Sequence, residues 1–171
     1  MEMDLTFKTG PGRFNYRVGA IIIHNGCYLL MRNPEASYLY TVGGRVHYGE
    51  TTEEAVVREI MEETGVRLEP ERPVFFMEQI FDEEVSKEHV HEIALYYLMK
   101  DSDDLDRLEC RSVTERGTSE ELVWIQGDEL ANYYIVPVSV AGMLSDLPEH
   151  MMHVVEIMEE ELDEDEDLIG K

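Results

Sequence analysis

Residues 44–66 read GRVHYGETTEEAVVREIMEETGV, which sets Gly44, Glu50, Arg58, Glu59, Glu62, Glu63 and Gly65 at fixed intervals. Within it, Thr51 and Glu54 spell a capping box, and Gly65 supplies a residue that can take a positive φ just past a last helical turn. The spacing predicts a helix over about 52–64. At about 100° per residue, Val56, Val57, Ile60 and Met61 share one side, while Glu59, Glu62 and Glu63 crowd another. The first side packs and the second faces a cleft.

A glutamate-rich chain makes glutamate pairs by chance, and most such pairs sit on a solvated helix face. Carboxylates at i, i+3 and i+4, however, repel one another by a few tenths of a kcal/mol per pair, roughly, when nothing lies between them. A divalent cation reverses that sign. Oxygen-only ligands suit a hard ion, Mg2+ with Mn2+ as its substitute, and no His or Cys stands at helical spacing to favour zinc. Gly43 and Gly44 end the preceding strand in a turn that lets the backbone approach such an ion, so the Gly43 carbonyl is a further candidate ligand.

The segment resembles the Nudix box, G-x5-E-x7-R-E-U-x-E-E-x-G-U with U a bulky aliphatic, and Ile60 and Val66 fill the U positions. A complete accidental match is on the order of one in a hundred thousand chains of this length. The resemblance implies an α/β Nudix fold, an α/β/α sandwich with a mixed central sheet and a loop-helix catalytic box, over about 14–147. It implies metal binding by the Gly43 carbonyl, Glu59, Glu62 and Glu63. It also implies that Arg58 and Glu50 pair, hold loop against helix and orient the glutamates. The implied reaction is hydrolysis of the diphosphate linkage of a nucleoside diphosphate joined to X, as in a nucleotide sugar, a dinucleotide or a nucleoside triphosphate. The alternative is a catalytically silent nucleotide-binding domain acting as a sensor or regulator. Such domains typically lose a box glutamate, and here all three are kept.

Beyond the box, His91 to Met99 alternates as a strand with Glu92, Ala94, Tyr96 and Leu98 on one face. A carboxylate on an otherwise apolar or aromatic face suggests a partner, and some Nudix enzymes carry a metal-binding or base glutamate in this strand. Glu92 is therefore the candidate fourth carboxylate, and Glu59, Glu63 and Glu92 are all candidates for the base. Arg32, at a strand end before the loop into the box, and Arg45, inside the box loop, are the candidate contacts to a substrate phosphate or sugar. Tyr28, Tyr38, Tyr40 and Phe76 could stack on a base, although aromatics in strands more often pack in cores.

The length of 171 residues fits one domain over 1–150, followed by a C-terminal helix and acidic tail over 151–171. Expected strands are Tyr16–Ile23 and Cys27–Arg32 about a tight Asn25-Gly26 turn, Tyr38–Val42, Val74–Phe81, His91–Lys100 and Glu121–Gln126. The mostly charged 82–90 connection and the 101–120 connection, longer than usual, are candidate lids. A Met-rich stripe beginning at Met151 fits core packing, or a contact in a homodimer. A net charge of −24 excludes general nucleic-acid binding, which requires clustered Lys and Arg. An anionic nucleotide must then meet its positive charge as metal ions and a few arginines. No apolar run is long enough to span a membrane. The start lacks the basic and apolar regions of a signal peptide, and Cys27 and Cys110 alone make no disulfide framework, so a cytoplasmic location is expected.

Overall fold

The computed structural model describes residues 2–158. Five strands precede the long helix: β1 (Thr6–Thr9), β2 (Gly12–Ile21), β3 (Ile23–His24), β4 (Cys27–Arg32) and β5 (Leu39–Arg45). The helix α1 (Thr52–Thr64) leads into β6 (Pro70–Asp82), β7 (His89–Met99), β8 (Glu121–Gln126), β9 (Ile135–Val136), the short α2 (Val138–Ala141) and β10 (Met152–Ile157). The strands join in the order β10-β6-β7-β2-β5-β4-β3, with β1 beside β2, β8 beside β4 and β9 beside β5. β2 pairs in parallel with β7, β5 with β9 and β6 with β10, while the other pairs are antiparallel, so the sheet is mixed as expected. No described helix is long and apolar enough to cross a membrane.

Local chemistry explains the elements around the box. Asn25 and Gly26 have φ of 50° and 75°, the two left-handed residues of a tight turn matched to strand twist, so β3 folds directly back on β4. Thr51 caps α1 by accepting from the Glu54 N–H, and the Glu54 carboxylate accepts in return from the Thr51 N–H. Gly65, at φ 73°, ends the helix.

Ala55, Val56, Val57 and Ile60 of α1 bury against Val18, Ala20 and Val42 on one face of the sheet. Met61, expected with them, is 45% exposed, because 100° steps carry it past the edge of the contact. On the opposite face, Phe75, Met77, Ala94 and Tyr96 pack with Ile135, Val140 and Leu144 from the segment around α2. Helical segments on both faces make the expected sandwich.

The chain after Pro148 departs from the helix expected there. Met152–Ile157 forms a strand whose pairing runs from Met152 beside Phe75 to Ile157 beside Ile80. Its burial alternates, with Val154 and Glu156 half-buried and Val155 and Ile157 exposed. That period of two, in β-branched residues, fits the pleat, and pairing with β6 satisfies one edge of its backbone. The methionines suggested a helical stripe, but the edge of β6 decides the outcome. The acidic tail lies outside the described residues.

Candidate active site

Gly44 lets the helix and sheet meet. A Cβ built there would lie 2.4 Å from the Glu59 carboxyl carbon, so the carboxylate occupies the space a side chain would fill. One turn further along α1, Glu63 Oε2 accepts the Gly43 N–H at 3.3 Å. Both carboxylates thus lie against the Gly43–Gly44 backbone. Arg58 donates to Glu50 through Nε at 2.7 Å and Nη2 at 3.0 Å, and Nη2 also reaches the Arg45 carbonyl at 2.9 Å. Glu50 accepts the His47 N–H at 2.9 Å. This fork ties the 45–50 loop to the helix. Arg58 Nη1 also binds Glu59 at 2.8 Å and the exposed Glu62 at 3.2 Å.

The electrostatics follow from burial. Burial, and then the neighbouring Glu59, push Glu63 up to about 8 despite the Gly43 N–H. Burial also raises Glu59, opposed by its hydrogen bond from Arg58. At Glu50 burial acts the same way, but Arg58 and the His47 N–H outweigh it and lower the carboxyl. Glu63 therefore takes up a proton in place of positive charge that its surroundings do not supply, while Glu59 shares the Nη1 of Arg58 with Glu62. Among the described residues no three acidic, His or Cys side chains converge as a preformed metal cage. The donor chemistry nevertheless fits a hard divalent cation: two half-buried carboxylates, of which Glu59 raises the proton affinity of Glu63, lie beside a glycine backbone with a third carboxylate adjacent on the helix.

Next to this corner opens a cavity of about 480 Å³ on the sheet face opposite α1, with Arg17, Arg45, Glu92, Tyr38 and Tyr134 among its lining residues. Arg17 and Arg45 are cross-strand partners on β2 and β5. Arg45 is held by Glu115 at 2.5 Å, whereas the Arg17 guanidinium makes no hydrogen bond to a described residue and lies 4.0 Å from Glu92. Burial opposes the charge of Arg17, but Glu92, Tyr96, Glu59 and Glu63 outweigh it and keep the side chain protonated.

The family model for the NUDIX domain matches residues 13–144. The chain belongs to the NUDIX family. Among solved structures, a MutT NUDIX hydrolase from Burkholderia pseudomallei is 28% identical with a TM-score of 0.51, covering 75% of this chain and 95% of that one. A mutator MutT protein from Bacillus halodurans is 16% identical with a TM-score of 0.60, covering 82% of this chain and 88% of that one. An ADP-ribose pyrophosphatase from Streptococcus suis is 15% identical with a TM-score of 0.52, covering 84% of this chain and 98% of that one. The last two show likeness of fold. No curated protein matches the sequence. Membership in the NUDIX family makes the chain a pyrophosphohydrolase by class.

In this NUDIX domain, Gly43, Glu59, Glu63, Arg58 and Glu50 come together at one corner, with Glu62 at its exposed margin. Arg45 reaches the cleft, but Arg32 does not: it stands exposed at the end of β4, 3.7 Å from Glu121. Glu92 is also apart from the helix glutamates. The Gly43–Gly19–Tyr96 row lies four residues along β7 and two strands across from Glu92, roughly 16 Å in backbone terms. Glu92 is buried and accepts from Asn15 Nδ2 at 3.3 Å instead. Its burial pushes its carboxyl up, opposed by Arg17. Tyr38 and Tyr40 reach the cleft, while Tyr28 donates to the Leu144 carbonyl and Phe76 packs on His153.

Sequence reading passed over Arg17 and Glu120. Arg17 precedes a run of apolar residues and reads as a strand-end charge, though its alternation with Asn15 signals a shared face. Glu120 ends the long loop, accepts from Tyr40 and Ser112, and is raised by burial.

Proposed function

We propose that this NUDIX enzyme hydrolyses, with Mg2+ or Mn2+, the diphosphate bridge of a nucleoside diphosphate linked to X. The observation that carries the reading is the half-buried Glu59–Glu63 pair, in which only Glu59 meets a cation of the protein, set against Gly43–Gly44 beside a cleft that contains Arg17. Glu59, Glu62 and Glu63, with the Gly43 carbonyl, would hold the ion. When bound, the ion polarises phosphoryl oxygen and lowers the pKa of water.

The protein's own residues supply the rest. The Arg58–Glu50 fork keeps the 45–50 loop fixed against α1, so that Glu59 and Glu63 stay aimed at the Gly43 backbone. Arg17, without a hydrogen bond to any described residue, is available to a phosphate oxygen, and Arg45 stands beside it. Glu120, whose proton affinity burial raises, stands outside the metal set and can take the proton as water attacks phosphorus and the bridging P–O bond breaks. The proton then returns to the leaving phosphate oxygen.

A panel of nucleotide sugars, dinucleotides and nucleoside triphosphates, assayed with Mg2+ or Mn2+ for released phosphate and nucleoside monophosphate, tests this. Turnover of at least one compound by wild type and its loss in Glu59→Gln and Glu63→Gln is expected. No turnover of any compound, with equal ligand binding by wild type and variants, would establish the sensor reading instead.

A further inference from the structure

The pairing register brings Glu156 of β10, Gln79 of β6, Glu92 of β7, Asn15 of β2 and Thr6 of β1 into one polar row across five strands. The row two residues closer to the catalytic corner contains Arg17 and Ala94, so the polar row lies about 7 Å further along the floor. Most of its members are spoken for. Thr6 donates to Asn15 at 2.7 Å, Asn15 donates to Glu92 at 3.3 Å, and the Glu156 carboxylate accepts the Ser139 N–H at 2.7 Å.

Gln79 is different. It is 7% exposed and lines the cavity, yet its carboxamide makes no hydrogen bond among the described residues. Arg72 Nη1 is the one fully buried side-chain nitrogen or oxygen without a partner among the described residues, so the Gln79 amide is open to the cavity, where an entering group can complete its hydrogen bonds. Tyr38, Phe81 and Tyr134 line the same cavity, and the rings of Tyr38 and Tyr134 stand nearly perpendicular with centroids 6.3 Å apart. A carboxamide offers a donor and an acceptor in one plane, which suits the edge of a flat heterocycle, and aromatic rings suit its face. Acidic side chains outnumber arginines along the lining, so a second phosphate-bearing group would be repelled there.

We propose that Gln79 is the specificity-determining residue of the cleft, reading the hydrogen-bonding edge of a nucleobase with Glu92, fixed by Asn15, as the second polar group. The proposal rests on the hydrolase reading for the position of the phosphates, at Arg17 and the helix glutamates. The nucleoside end then lies on the polar row.

Equilibrium binding of the four common nucleosides, which carry no phosphate, and of inorganic tripolyphosphate tests it without requiring turnover. Wild type is expected to prefer one base over the weakest by about tenfold or more, the yield of one well-made hydrogen bond. Gln79→Leu should compress that ranking to within about threefold, with tripolyphosphate affinity and melting temperature unchanged. Gln79→Glu keeps the shape and removes the N–H donors, so it should reorder the ranking; it carries the test if the leucine variant fails to fold. An unchanged ranking in the variants, equal weakening of nucleosides and tripolyphosphate, or binding of free sugars but not nucleosides would overturn the assignment. A hydrolase reading that failed would show as absent turnover with the base ranking intact.

Discussion

Glu63, against the Gly43 backbone, and Glu88, at the turn before β7, are the same residue type in opposite circumstances. Burial and the neighbouring Glu59 push Glu63 up to about 8, whereas the hydrogen bonds from Arg13 and Lys8 hold Glu88 down at about 2. Glu83, at the same far end, is lowered as well: burial would raise it, but the Ser86 and Val85 N–H groups and the Tyr38 hydroxyl outweigh burial. At the far end each carboxylate meets its donors inside the protein and serves to shape the loop. At the helix corner Glu63 meets only the Gly43 N–H among the described residues, and the proposed cation would supply what is lacking. Burial alone does not mark a working group; burial without compensation does.

Glu63→Gln tests the contrast most severely. It should lower turnover with Mg2+ by about 10²-fold or more, since it removes a carboxylate proposed to hold the ion while conserving its volume. In metal-free protein the same change should be stabilising at pH 9, where wild type must ionise Glu63, and neutral at pH 5, where it need not. Thermal melts at the two pH values decide the matter. Equal melting temperatures at pH 9 would mean that the corner is as well compensated as the far end.

The pH profile of wild type is a gentler probe of the same difference. Glu63 binds its proton more tightly when folded, so its contribution is fully present below the ordinary value of 4.5 and is lost as pH rises through about 8. Metal-free melting temperature should therefore fall between pH 5 and 9, and saturating Mg2+ should flatten the slope, because the ion displaces the proton. Glu88 has the opposite sign. Its contribution is present above 4.5 and lost only as pH falls through about 2. Glu88→Gln should thus have the smallest effect, a shift in melting temperature near the scatter between replicates at moderate salt, with turnover unchanged.

Legibility in the sequence followed the range of the interactions. The α1 cap, the Asn25-Gly26 turn and the Arg58–Glu50 fork rest on residues at most eight apart, and their spacing alone announces them. β8 was expected at its observed bounds. β10 was not legible, because its conformation depends on the edge of β6, more than seventy residues earlier. The same holds for Glu92. Alternation identified its face, but only the β2–β7 and β2–β5 registers reveal that it lies with Gln79 and Asn15 rather than with the helix glutamates. Arg17 and Glu120 were passed over because their significance lies in what surrounds them: an arginine with no hydrogen bond to a described residue, and a carboxylate half-buried at the end of a loop.

Gly44 has a consequence for how this protein tolerates change. It carries no functional group, yet the space above its Cα is filled by the Glu59 carboxylate. Alanine there would leave the core and the sheet pairing intact while evicting the carboxylate, so a single methyl group would act like an inhibitor built into the chain. In a map of permitted substitutions, position 44 would be as intolerant as the glutamates themselves while lending nothing to stability. Such a pattern separates residues selected for catalysis from those selected for folding, and here the most inert side chain in the protein falls among the first.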